Sequence, residues 1–119
     1  MDVLVLDAEK KEREVLRDQL VKKGFTISES SGGFRMLEDL SQFKKDLVVL
    51  EYNTWRSNRG PYRYFGVERA WAGIPVILIT SKDRTDVFNE RHPHDKDVIL
   101  EKPVDPEKFG EVLNQFAGE

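Results

Sequence analysis

The stretch Asp46-Leu47-Val48-Val49-Leu50-Glu51 decides the fold of this 119-residue chain. Four apolar residues in a row, without polar alternation, suit a β-strand covered on both faces, as in a parallel sheet. Such a strand delivers the acid that ends it to the C-terminal edge of the sheet. Three more runs follow the same rule. Val3-Leu4-Val5-Leu6 ends on Asp7, Val76-Ile77-Leu78-Ile79 ends on Thr80, and Val98-Ile99-Leu100 leads through Glu101 to Lys102. A weaker fifth strand is expected at Phe25-Thr26-Ile27-Ser28-Glu29.

The intervening segments carry helical patterns. Lys10 to Lys23 is charged, with a stripe of Val15, Leu16, Gln19 and Leu20, and Gly24 stands where a C′ glycine closes a helix. Gly33 to Phe43 repeats apolar residues every three positions, and Tyr64 to Ala72 and Arg84 to Arg91 are shorter candidates. The clearest helix has Asp105 as N-cap and Pro106 at N1, with Phe109, Val112, Leu113 and Phe116 on one face. Strand and helix therefore alternate five times. This predicts a single α/β domain over residues 1–119: a doubly wound, five-stranded parallel sheet with five helices, a flavodoxin-like three-layer sandwich. In open parallel sheets, ligands bind beyond the carboxyl ends of the strands, where strand order reverses. Asp7, Glu51, Thr80 and Lys102 all fall at that edge.

Composition narrows the function. A net charge of −3 argues against nucleic-acid binding by bulk electrostatics. No apolar run approaches the roughly 18 residues that cross a bilayer. The first strand begins close to Met1, leaving no room for a signal peptide, so a cytoplasmic protein is expected. Without cysteine there are no disulfides and no thiolate metal sites. His92 and His94 flank Pro93 in a polar loop and read as solvated residues, since no third ligand is near.

Taken together, these residues make the chain resemble the receiver domains of two-component response regulators, over essentially its whole length. In that family an acidic cluster follows the first strand, a phospho-accepting aspartate ends the third, a threonine or serine ends the fourth, and Lys-Pro follows the fifth. Asp7 with Glu9, Glu51, Thr80 and Lys102-Pro103 match that order. The resemblance implies that the carboxylates hold magnesium, that the central acid attacks a phosphoryl group, and that lysine offsets the developing charge. It also implies a cis peptide before Pro103.

Three positions depart from the family pattern. Glu51 replaces the accepting aspartate, Ala8 stands where a second acid normally touches the metal, and Ile99 replaces the usual switch aromatic. The expectation is a pseudo-receiver that is not an enzyme and acts by protein–protein contact without phosphorylation. Lys102 is expected to pair with Glu51, Thr80 to donate a hydrogen bond to it, and the longer carboxylate to stand in partly for phosphoaspartate. No metal is expected; Asp7, Glu51 and the Asn53 carbonyl form at most a vestigial magnesium site, and weak binding is left open. The expected partner is another signalling protein or an output domain, with neither nucleic acid nor membrane, and a homodimer is left open. The segment from Tyr52 to Phe65 reads as a loop rich in aromatics and arginines, so Trp55, Arg56, Arg59 and Tyr62 are candidate partner contacts, the alternative being that two of the aromatics pack into the core while the arginines are solvated. Two alternatives remain. One is a working phospho-receiver with an unusual acceptor. The other is a flavodoxin-like enzyme or ligand-binding protein, which the absence of glycine in Asp7-Ala8-Glu9-Lys10-Lys11 opposes.

Overall fold

The computed structural model describes residues 1–32, 46–57, 73–81 and 94–117. Five strands, β1 (Asp2–Leu6), β2 (Thr26–Ser30), β3 (Leu47–Glu51), β4 (Val76–Thr80) and β5 (Val98–Glu101), form one sheet. Every pairing is parallel and the order is β2-β1-β3-β4-β5. The order reverses between β1 and β3. The three central strands are the unbroken apolar runs, and apart from Asp2 every one of their residues is buried. The edge strand β2, in contrast, mixes exposed and half-buried residues.

Alternation along these strands divides the core in two. Val3, Val5, Val49 and Ile77 face α1 (Lys10–Lys22) and α3 (Pro106–Ala117), packing against Leu16, Leu20, Phe109 and Leu113. Leu4, Leu6, Val48, Leu50 and Leu78 face the other way, against Tyr52 and Trp55 of α2 (Tyr52–Ser57). Continuous hydrophobicity in sequence therefore means burial on both faces of the sheet.

The helix ends follow their local chemistry. Beyond α1, Gly24 adopts φ 82°, its amide bonds the Val21 carbonyl, and Phe25 N–H reaches back to Leu20. That pair of bonds is a Schellman closure, which favours glycine at the left-handed position. Asp105 Oδ1 accepts the Glu107 amide at 3.0 Å, capping α3 as expected. The stripe of α1 differs from the expected one. Leu16 and Leu20 are buried, whereas Val15 is 41% exposed. The inward row runs Glu12, Leu16, Leu20, a strict spacing of four, so Val15 is turned to the rim.

The segment after β3 also differs. Residues 52–57 are helical rather than loop, because Glu51 caps them and Tyr52 and Trp55 share their inward face. The two rings lie 5.9 Å apart, tilted by 43°. Trp55 is 2% exposed. It is a core residue and offers no surface to a partner. The expected helices at Gly33–Phe43, Tyr64–Ala72 and Arg84–Arg91 lie outside the described residues. Among the described residues, no helix is long and apolar enough to cross a membrane.

Candidate functional site

Register brings the edge residues together. Leu6 pairs with Leu50, so Asp7 and Glu51 stand level on adjacent strands. Glu51 pairs with Ile79 and Thr80 with Glu101, which carries Thr80 and then Lys102 one step further along the same edge. The Lys102 amide donates to the Thr80 carbonyl at 2.8 Å, and the Lys102–Pro103 peptide is cis, as the resemblance implied.

Glu51 is 4% exposed and bonded on both oxygens. Oε1 accepts the Thr54 amide at 2.9 Å and the Thr54 hydroxyl at 2.8 Å. Oε2 accepts the Asn53 amide at 2.7 Å and Lys102 Nζ at 3.1 Å. Two of these donors are the second and third residues of α2, so Glu51 serves as that helix's N-cap. Burial alone would push its carboxyl up. The Asn53, Thr54 and Lys102 bonds outweigh that and hold it below its ordinary value. A carboxylate offers about four lone-pair sites. All four are in use.

Lys102 is where expected, and pairs with Glu51 as expected. Burial would lower its pKa, but Glu51 and then Glu12 raise it above the ordinary lysine value. A hydroxyl found on Glu51 is that of Thr54. Thr54 is 2% exposed and also accepts the Ala8 amide at 2.8 Å, tying the loop after β1 to the start of α2. Thr80 is buried at the same edge.

Asp7 sits beside this saturated carboxylate in a different state. It is 1% exposed; Oδ1 accepts the Glu9 amide at 2.9 Å, but among the described residues Oδ2 has no hydrogen-bond donor. Burial pushes its carboxyl up to about 7, against the pull of the Glu9 amide and with further upward pressure from Glu12 and Glu51. Glu9 itself is exposed, at the N-cap of α1, and its side chain makes no cap bond. It reaches the site through its backbone, not its carboxylate.

The acid that does enter is Glu12, which no strand end marks in the sequence. Its Oε2 lies 3.4 Å from Lys102 Nζ, and Asp7, Glu12 and Lys102 line a small cavity of about 40 Å³. A signal for it exists: Glu12 precedes the buried Leu16 and Leu20 at spacings of four. Thr54 was legible in the same way, three residues after the capping acid.

Magnesium does not fit this donor set. Glu51 has no lone pair to spare, Ala8 supplies no ligand, Glu9 is exposed, and the Lys102 ammonium lies 3.1 Å from Glu51 and 3.4 Å from Glu12. Among the described residues no group of three acids or histidines is arranged to hold a metal ion. His94 is a turn residue, its Nδ1 accepting the Lys96 amide at 3.0 Å. Of the expected partner contacts, Arg56 is exposed, whereas Arg59 and Tyr62 lie outside the described residues.

No family model and no curated protein matches the sequence. Solved structures do match the fold. The chemotaxis response regulator CheY4 of Vibrio cholerae superposes with a TM-score of 0.72 at 16% identity, covering 96% of both chains. A two-component response regulator from Clostridium difficile gives 0.71 at 15% identity, over 100% of this chain and 97% of its own. The receiver domain of sensor histidine kinase PA1611 from Pseudomonas aeruginosa PAO1 gives 0.65 at 16% identity, over 99% and 98%, and carries magnesium in its active-site cleft. The chain thus has the CheY-like receiver fold.

Proposed function

We propose that this chain is a receiver-type signalling module that works by protein–protein contact and takes up no phosphoryl group. One observation carries the reading: both oxygens of Glu51 are fully occupied by four donors. A nucleophile must present a free lone pair to phosphorus, and a carboxylate that caps a helix and holds a lysine presents none. The same bonds give Glu51 a constructive role. It pins the Lys102 loop to α2 permanently, a link that a charged acceptor would otherwise make only when modified. A carboxylate brings about one negative charge where a phosphoryl group brings nearly two, so the mimicry is partial.

On this reading the protein is not an enzyme, needs no cofactor and acts in the cytoplasm. It binds another signalling protein or an output domain. Incubation with acetyl phosphate and magnesium, followed by intact mass measurement, tests it: the mass is expected to remain unchanged. Amide NMR with magnesium and beryllofluoride gives the second readout. Saturable shifts at Asp7, Glu51 and Thr80 would establish a working acceptor and end the proposal.

A further inference from the structure

The pocket edge contains one acid whose presence neither the resemblance nor the reading above explains. We infer that Glu12 is a built-in occupant of the pocket: carried on α1, it holds the second side of Lys102 and keeps free oxyanions out. The inference rests on the phosphorylation-independent reading and specifies how the site is closed.

Three observations support it. Lys102 Nζ is shared, 3.1 Å from Glu51 Oε2 and 3.4 Å from Glu12 Oε2. Glu51 is committed to α2, so Glu12 is the ligand that can leave. Second, Glu12 stands at the rim of the buried stripe, its side chain 36% exposed but its Oε2 buried. Leu16 and Leu20, one and two turns further along α1, are 2% and 0% exposed, and they fix the helix rotation that points position 12 inward. A carboxylate tethered in this way competes with any dissolved anion at high effective concentration. Third, Glu12 and Asp7 line the same cavity, and among the described residues the buried Glu12 Oε2 has only its ion pair with Lys102 while the buried Asp7 Oδ2 accepts no hydrogen bond. Two carboxylates lining one space repel each other, a poor arrangement for stability alone. The position of Glu12 makes sense as occupancy of Lys102. Removing it leaves a half-buried ammonium paired with Glu51, beside a space lined by Asp7, Leu16 and Ile79.

Amide NMR of the full chain, titrated with sodium sulfate at constant ionic strength, tests this with the wild type, Glu12→Ala, and Glu12→Ala combined with Lys102→Met. The wild type is expected to show no saturable shift at Lys102. Glu12→Ala is expected to bind sulfate at least tenfold more tightly than the wild type, and the double variant to lose that binding. An equally silent Glu12→Ala, or binding that survives Lys102→Met, overturns the inference. Saturable sulfate binding by the wild type also overturns it, because the pocket is then open; Glu51 could still be inert to acetyl phosphate, so the two proposals fail separately. Glu12→Gln, of unchanged size, provides a readout without ligand. The Lys102 pKa, followed through its Cε resonance, is expected to fall in this variant, and an unchanged value means that Glu12 is not on Lys102.

Discussion

Asp7 and Glu51 occupy equivalent positions one strand apart, and both are almost wholly buried, at 1% and 4% exposure. They behave in opposite ways. Glu51 receives four donors and is held below its ordinary pKa, whereas Asp7 receives one amide and is pushed up to about 7. Burial penalises the charged form of both. What separates them is the supply of donors, and that depends on what the chain does next. After Glu51 the backbone turns at once into α2, offering two amides and a hydroxyl. After Asp7 it runs on to Glu9 before α1 begins, and α1 brings a second acid, Glu12, towards the same space. One edge of one sheet thus holds a settled charge beside an unsettled one.

The sharpest way to break the comparison is to remove the settled partner. Glu51→Ala deprives Asn53 and Thr54 of their acceptor and leaves Lys102 with only Glu12, so a loss of about 3–5 kcal/mol is expected. Chemical denaturation measures it. A loss below about 1 kcal/mol would mean that the four bonds stabilise little and that Glu51 resembles Asp7 after all.

The next largest effect follows from pH. The folded pKa of Asp7 lies above its unfolded value of 3.8, at about 7. Between those values the folded chain keeps a proton that the unfolded chain has released, so stability falls as pH rises through the window. Glu51 works the other way, stabilising above its ordinary 4.5 and losing that contribution as pH falls below it. The Lys102 contribution persists until the pH passes 10.5. From about pH 4.5 to 7, Asp7 is therefore the one of the three that titrates. The unfolding free energy from urea titrations should drop over that range by an amount on the order of 2–3 kcal/mol. Asp7→Asn, with an amide that can donate towards Glu12, is expected to flatten the profile; a slope that survives it would assign the titration elsewhere.

Thr54 links the two corners, accepting the Ala8 amide and donating to Glu51. Thr54→Val keeps the shape and removes the hydroxyl, taking one bond from the part-buried Ala8 amide and one from Glu51 Oε1, at a cost of about 1–2 kcal/mol. Thr54→Ser should recover most of it. Equal losses in both variants would point to packing of the threonine methyl rather than to the hydrogen bonds.

These residues also show how far the sequence could be read. Asp7, Glu51 and Lys102 were legible because each lies just beyond an unbroken apolar run, and register in a parallel sheet then makes their meeting nearly unavoidable. The two core faces were legible for the same reason. Glu12 was not. It is one acid in a helix dense with charges, and only its spacing of four from Leu16 and Leu20 marks it as inward. The α2 helix was hidden because six residues show too little periodicity, and the aromatic content of the segment suggested a binding loop. Tyr52 and Trp55 are aromatic because they fill the core under β3 and β4. Exposure, which decides between a hot spot and a core residue, is a tertiary property.

The smallest expected effect concerns Glu9, the acid nearest to Asp7 in sequence. Its carboxylate is exposed and makes no cap bond, and its contribution to Asp7 is the backbone amide that bonds Oδ1 at 2.9 Å. Glu9→Ala keeps that amide. Its stability should therefore stay within about 0.5 kcal/mol of the wild type, and the pH profile set by Asp7 should not move. Glu12→Ala, in contrast, removes an acid that pushes the Asp7 carboxyl upward, so the falling limb should shift to lower pH. If the two variants behave alike, sequence proximity matters more than helix rotation, and the contrast between the two carboxylates has been attributed to the wrong neighbour.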